Sequence, residues 1–136
     1  MDLLDKAVTA LLKSKDKCEV LNPSDSEKYL NIFFEAFSFT SWGTIDWDIV
    51  NEKTQINCFS QIIPYLKQHG VEKNDAIYVI WGEDDLPVLK CSLDGALENI
   101  KYLTPVGAYG TWLYGPSGKW AIEFYHHGDI TLGFEN

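Results

Sequence analysis

Along the chain the spacing of apolar positions changes near residue 76, separating a helical first half from a stranded second half. Residues 2–14 set Leu3, Leu4, Ala7, Val8 and Leu11 on one stripe at helical spacing, with lysines and aspartates largely opposite, and predict an amphipathic helix. Asn22-Pro-Ser-Asp-Ser-Glu27 reads as the start of a second helix, because Ser24 and Glu27 have capping-box spacing. The run Tyr29, Leu30, Ile32, Phe33, Phe34, Ala36, Phe37 makes that helix apolar nearly all round, so it is expected to lie centrally. Residues 38–47 are aromatic and interrupted by Gly43, a loop or a brief strand. A third helical pattern uses Ile56, Phe59, Ile62, Ile63 and Leu66; Pro64 must kink it or begin a new helix. His69-Gly70 has the form of a helix end.

From Ala76 to Trp81 the apolar run is continuous and rich in β-branched and aromatic residues, the mark of a buried central strand. Gly82–Asp85 turns the chain and residues 86–91 return as a second strand. Ser92 is placed to cap a fourth helix carrying Leu93, Ala96, Leu97, Ile100 and Leu103 on one face. Residues 111–114, 119–126 and 130–134 form three more strands, joined by hairpin turns at 115–118 and 127–129. The expected fold is α+β: N-terminal helices followed by a ββαβββ pattern, giving a mostly antiparallel five-stranded sheet packed against helices. A length of 136 residues sets a single domain, 1–136.

The last hairpin concentrates the candidate chemistry. Glu123, His126, His127 and Asp129 lie within seven residues and raise the alternative of a small hydrolase or metal-dependent enzyme. Strand alternation weighs against it. A turn at His127-Gly128-Asp129 sets His126 opposite Ile130, Phe124 opposite Leu132 and Ile122 opposite Phe134, gathering the apolar side chains on one face. A two-residue turn would put Glu123 against Leu132 and mix the faces. In the preferred register Glu123, Tyr125 and His127 point the other way, onto an exposed or partner-facing patch. No glycine-rich phosphate loop, nucleophile elbow or H-E-x-x-H helix accompanies the cluster, so no catalytic residue, metal or cofactor is assigned.

Charge narrows the partners. The net charge is −9 and all eleven cationic residues are lysine. Without arginine's planar fork, nucleic acid is an unfavourable partner, and phosphate-bearing small substrates are disfavoured too. Two acidic-aromatic stretches have the composition of a contact surface for a basic protein: Asp46, Trp47 and Asp48, and Glu83, Asp84 and Asp85. Each has a plainer reading, a tryptophan that closes a core or an ordinary acidic turn. Cys18, Cys58 and Cys91 are odd in number and form no C-x-x-C pair, as suits reduced thiols; Cys58 and Cys91 read as small buried hydrophobes. No apolar run is long enough to span a membrane, and the N-terminus lacks the form of a signal peptide, so the expected location is the cytoplasm.

The strings Ile77-Tyr-Val-Ile-Trp-Gly-Glu-Asp-Asp-Leu-Pro-Val-Leu-Lys90, Leu93-Asp-Gly-Ala-Leu-Glu-Asn-Ile100, Thr111-Trp-Leu-Tyr114 and Trp120-Ala-Ile-Glu-Phe-Tyr-His-His-Gly-Asp-Ile-Thr131 resemble small bacterial immunity proteins. These protect cells from contact-dependent growth inhibition and related polymorphic toxins. The resemblance covers roughly residues 76–134. It implies a non-enzymatic cytoplasmic inhibitor that binds, one to one, the C-terminal toxin domain of a cognate effector, often a nuclease with a basic face. No binding residue carries over by motif. The expected contact residues therefore rest on charge and exposure: Asp46, Trp47, Asp48, Glu83, Asp84, Asp85, Glu123, Tyr125 and His127. A general interaction domain of the SUKH kind, with a non-toxin partner, is the remaining alternative.

Overall fold

Antiparallel pairing of the C-terminal strands builds the centre of the molecule. The computed structural model describes residues 2–14, 17–83 and 85–136; Asp84, one of the expected contact residues, lies outside them. In chain order the elements are α1 (Leu3–Lys13), β1 (Glu19–Val20), α2 (Pro23–Ala36), β2 (Glu52–Gln55), α3 (Ile62–Gln68), β3 (Ala76–Trp81), β4 (Leu89–Ser92), α4 (Leu93–Glu98), α5 (Ile100–Leu103), β5 (Gly110–Gly115), β6 (Trp120–Tyr125) and β7 (Ile130–Phe134). The strands form one sheet in the order β1-β4-β3-β5-β6-β7-β2, and every neighbouring pair is antiparallel.

The α+β class and the five expected strands are present, and those five are contiguous. The described residues add two strands at the rims, for seven in all. β1 is two residues long, and β2 is the polar Glu52-Lys-Thr-Gln55, almost all exposed. An outer edge strand of this kind buries little on either face, so it leaves no apolar period to read.

Alternation along the strands divides two cores. Ile77, Val79, Trp81, Leu113, Ile122, Phe124, Leu132 and Phe134 face one way and are covered by α1, α3, α4 and α5, through Ala7, Leu11, Ile62, Leu66, Leu93, Leu97 and Leu103. Tyr78, Ile80, Trp112, Tyr114 and Ala121 face the other way, beneath α2 and residues 38–50. α2 is therefore a covering helix and not a central one. It buries Phe33 and turns Phe34 outward, 46% exposed. Its cap is Asn22, whose side-chain oxygen accepts from the Asp25 amide at 2.8 Å, with Pro23 in the first turn; Ser24 and Glu27 lie inside the helix.

Pro64 begins a new helix. A short 3₁₀ turn at Phe59–Gln61 precedes α3, which puts Pro64 in its first turn, where no backbone donor is needed. The helix after Ser92 is broken in two at Asn99, whose side-chain amide donates to Gly95 O at 2.9 Å and to Ser14 Oγ at 3.1 Å. Ser92 does cap α4, accepting from the Gly95 amide at 2.9 Å.

The last hairpin differs in register. β6 and β7 pair Phe124 with Ile130, Ile122 with Leu132 and Trp120 with Phe134. The Tyr125 amide donates to Asp129 O at 2.9 Å and the Gly128 amide to Tyr125 O at 2.8 Å, so the loop is His126-His127-Gly128. A three-residue hairpin loop needs its left-handed residue last, and Gly128 there has φ +100°. The slip preserves strand parity. The apolar set keeps its shared face and gains Trp120, while His126 moves from a strand end into the loop.

Candidate partner-binding surface

On the sheet face beneath α2, Glu123 points away from the helix-covered core, as alternation requires, but it is not exposed. At 4% exposure it is buried, and it accepts from Ile45 N at 2.7 Å, Trp112 Nε1 at 2.9 Å and Trp47 Nε1 at 3.0 Å. Among the described residues no cation pairs with it. A buried carboxylate is tolerated only when its oxygens are hydrogen-bonded, and here three N–H groups meet that need. Glu123 is thus removed from the surface set. Its role is to fasten residues 38–50 onto the sheet.

What it fastens is a small finger. Phe39 and Ile45 form an isolated antiparallel bridge, Asp46 N donates to Ser38 O at 2.8 Å and Thr40 N to Thr44 O at 2.8 Å. The Thr40 and Thr44 hydroxyls meet at 3.0 Å across the base of the tip. Trp47, expected at the contact surface, is half-buried and lies against Gly133, where a Cβ would sit 2.6 Å from the indole ring. Trp47 therefore closes a core. Its neighbour at the tip, Trp42, is 72% exposed. Asp46 is half-buried and Asp48 exposed, and with Trp42, Thr40 and Thr44 they line a shallow hollow of about 410 Å³. Composition could not separate the two tryptophans. Gly43 turns the chain and sets Trp42 at the apex, but the burial of Trp47 depends on distant partners, Glu123 and Gly133.

The second acidic stretch joins the histidine hairpin at one end of the sheet. Glu83 Oε2 accepts from the Ala108 amide at 2.8 Å, and His126 Nδ1 lies 2.7 Å from Tyr109 O, so residues 104–109 bridge the two loops. Glu83 is half-buried, while Asp85, His126, His127 and Asp129 are exposed. Tyr125 is half-buried with its ring 4.3 Å from that of His126 and 5.1 Å from that of His127. Residues 56–61 reach the same end, because Ile56 N donates to Ile130 O. The described residues of these four loops, 56–61, 82–88, 104–109 and 126–129, include no lysine, yet they carry Glu83, Asp85 and Asp129. Tyr109 and Phe59 stand exposed among them, at 66% and 42%.

Trp112 connects the two regions. Its ring lies 5.5 Å from Phe39 at the base of the finger, and a Cβ on Gly82, which opens the acidic turn, would be 3.2 Å from it.

The side chains of Glu123, His126, His127 and Asp129 do not converge on one site. Glu123 is enclosed by its three donors, while His126, His127 and Asp129 are in or beside the exposed hairpin loop. Among the described residues no three His, Cys, Asp or Glu side chains are grouped to hold a metal ion. Cys91 is buried, but Cys58 is exposed at the start of the 3₁₀ turn, contrary to expectation. Hydrogen bonds from the Ser60 side chain and backbone hold its thiol below the ordinary value.

Two acidic and aromatic surfaces are thus displayed on the α+β frame, one at the finger and one at the end of the sheet. Residues 1–133 match the family model described as CdiI immunity protein EcoliA0-like, and the chain belongs to that family of immunity proteins against contact-dependent growth inhibition toxins. The match extends through the helical first half, beyond the 76–134 region of visible resemblance. No curated protein matches the chain. No helix among the described residues is long and apolar enough to cross a membrane.

Proposed function

We propose that this protein binds, one to one, the C-terminal toxin domain of its cognate effector in the cytoplasm, and that the toxin is a nuclease with a basic face. It acts by occupying that face and not by catalysis. The observation that supports this reading is the set of four loops at one end of the sheet, without lysine among their described residues, where Glu83, Asp85 and Asp129 stand with the exposed rings of Phe59 and Tyr109 on a chain of net charge −9. A nuclease must hold polyphosphate and so presents cations, which such a surface complements. Family membership supplies the partner class that a general interaction domain leaves open.

The test uses the toxin domain of the cognate effector, sought in the coding sequence adjoining this one, titrated in rising salt. The association rate should fall steeply between low and physiological ionic strength, because exposed charges are screened over about 8–10 Å. Neutralising Glu83, Asp84 and Asp85 together should slow association by roughly tenfold with little change in dissociation. An unchanged rate would take that turn out of the interface, and failure of the unmodified chain to bind would end the reading.

A further inference from the structure

The 38–47 finger has more structure than a connection between α2 and β2 requires. Its tip is turned by Gly43 at φ +94°, with Gly43 N donating to Thr40 O at 3.2 Å and Thr44 N to Thr40 Oγ1 at 3.2 Å. Its base is held by Phe39, which meets Phe34 and Trp112 edge-on at 5.1 and 5.5 Å. Two of the three N–H groups that satisfy buried Glu123 come from this segment. All this fixes the backbone turn that carries Trp42, whose side chain is itself 72% exposed. An exposed tryptophan on a preset turn has only its own two side-chain torsions to order on binding, not the loop beneath it, which suits an interface anchor.

The surroundings specify what the anchor meets. Along the chain from residue 29 to residue 52 there is no cation but there are Glu35, Asp46, Asp48 and Glu52; the one cation the fold brings to the base of the finger is Lys53, whose ammonium donates to the Trp47 carbonyl, among the described residues. Asp46 and Asp48 line the same hollow as Trp42. An indole flanked by carboxylates fits a cationic cleft, where the ring lies over a lysine or arginine and the carboxylates pair with its neighbours.

We propose that the finger is the principal anchor of the complex, inserting Trp42 into the cationic cleft of the toxin domain, with Asp46 and Asp48 pairing to its rim. This rests on the neutralisation reading above and adds to it the element that does the docking. Asp46→Asn and Asp48→Asn should act on the association rate, and Trp42→Ala on dissociation.

The experiment measures binding of that same cognate toxin domain, purified on its own, to the unmodified protein and to Trp42→Ala. The expected loss is at least 100-fold in affinity, carried mainly by faster dissociation. Hydrogen exchange of the unmodified chain, free and bound, reads the same contact without a substitution, with slowed exchange at residues 41–44 expected. Affinity within twofold of the unmodified chain, or unaltered exchange at the tip, would overturn the finger as anchor while leaving neutralisation standing. An effector domain that does not bind the unmodified chain at all would remove both.

Discussion

Among the described residues, the core between the sheet and α1, α3, α4 and α5 gathers 21 buried side chains, mostly aliphatic, whereas the core between the opposite face, α2 and the finger gathers 11, rich in aromatic rings. The first is closed by apolar packing, with Trp81 Nε1 donating to Leu103 O within it. The second is closed by rings and by a carboxylate whose partners are N–H groups of the finger, Trp47 and Trp112. Apolar packing is non-directional and tolerates small shifts, while a buried carboxylate fixes the positions of its donors within a few tenths of an ångström. The face that stabilises the fold is therefore aliphatic, and the face that must hold an exposed element in place contains the polar lock.

Breaking the packed face should cost most. Trp81 is 2% exposed, with Nε1 donating to Leu103 O at 3.1 Å, and Trp81→Ala should lower stability by about 3–5 kcal/mol, measured by urea unfolding. Hydrogen exchange should then speed up over both faces, because the sheet is shared. Glu123→Gln should cost less, about 1–3 kcal/mol, since its amide group must face a donor that previously met oxygen. The distribution of the effect distinguishes the faces: exchange should accelerate at residues 38–49 and stay near its original rate in α1 and α3. Uniform acceleration would show that Glu123 supports the whole sheet and not the finger.

Smaller effects sharpen the picture at the rims. Gly128 has φ +100° and open space around it, so Gly128→Ala strains only the backbone, and a loss of about 1–2 kcal/mol in thermal unfolding is expected. The smallest effect concerns pH. His69 sits at the end of α3, with Nδ1 3.0 Å from Tyr65 O, Nε2 2.6 Å from Glu52 Oε1, and its ring stacked on Phe134. Both partners are acceptors, so the ring makes both bonds only when it carries two protons. The Tyr65 carbonyl first, and the Glu52 carboxylate second, raise its pKa above the ordinary histidine value. A raised folded-state pKa gives a contribution fully present below the unfolded value near 6.5 and lost as pH rises through the folded one. Unfolding midpoints should accordingly fall slightly from mildly acidic to mildly alkaline pH, and His69→Gln should remove that slope.

Which features were legible before the fold follows from range. The apolar run 76–81, the cap at Ser92, the helix end at His69-Gly70 and the parity of Ile122, Phe124, Leu132 and Phe134 depend on neighbours within a few residues, and each stands as read. The hairpin register slipped because it hangs on one loop position; parity survived since the slip was by two. The edge strand Glu52–Gln55 left no pattern because its side chains are nearly all in solvent. Of the contact residues expected from charge, Asp48, Asp85 and His127 are exposed, Asp46, Glu83 and Tyr125 are half-buried, and Trp47 and Glu123 serve the interior.

The sequence by itself determined the α+β class, the central antiparallel strands, the acidity and the kinship to immunity proteins, because local periodicity, composition and contiguous strings need no third dimension. Only the tertiary structure decided which of two neighbouring tryptophans faces solvent and that Glu123 is a fastening. Those outcomes depend on contacts between residues some eighty positions apart, Ile45 and Trp47 against Glu123, and no local pattern encodes a meeting at that distance.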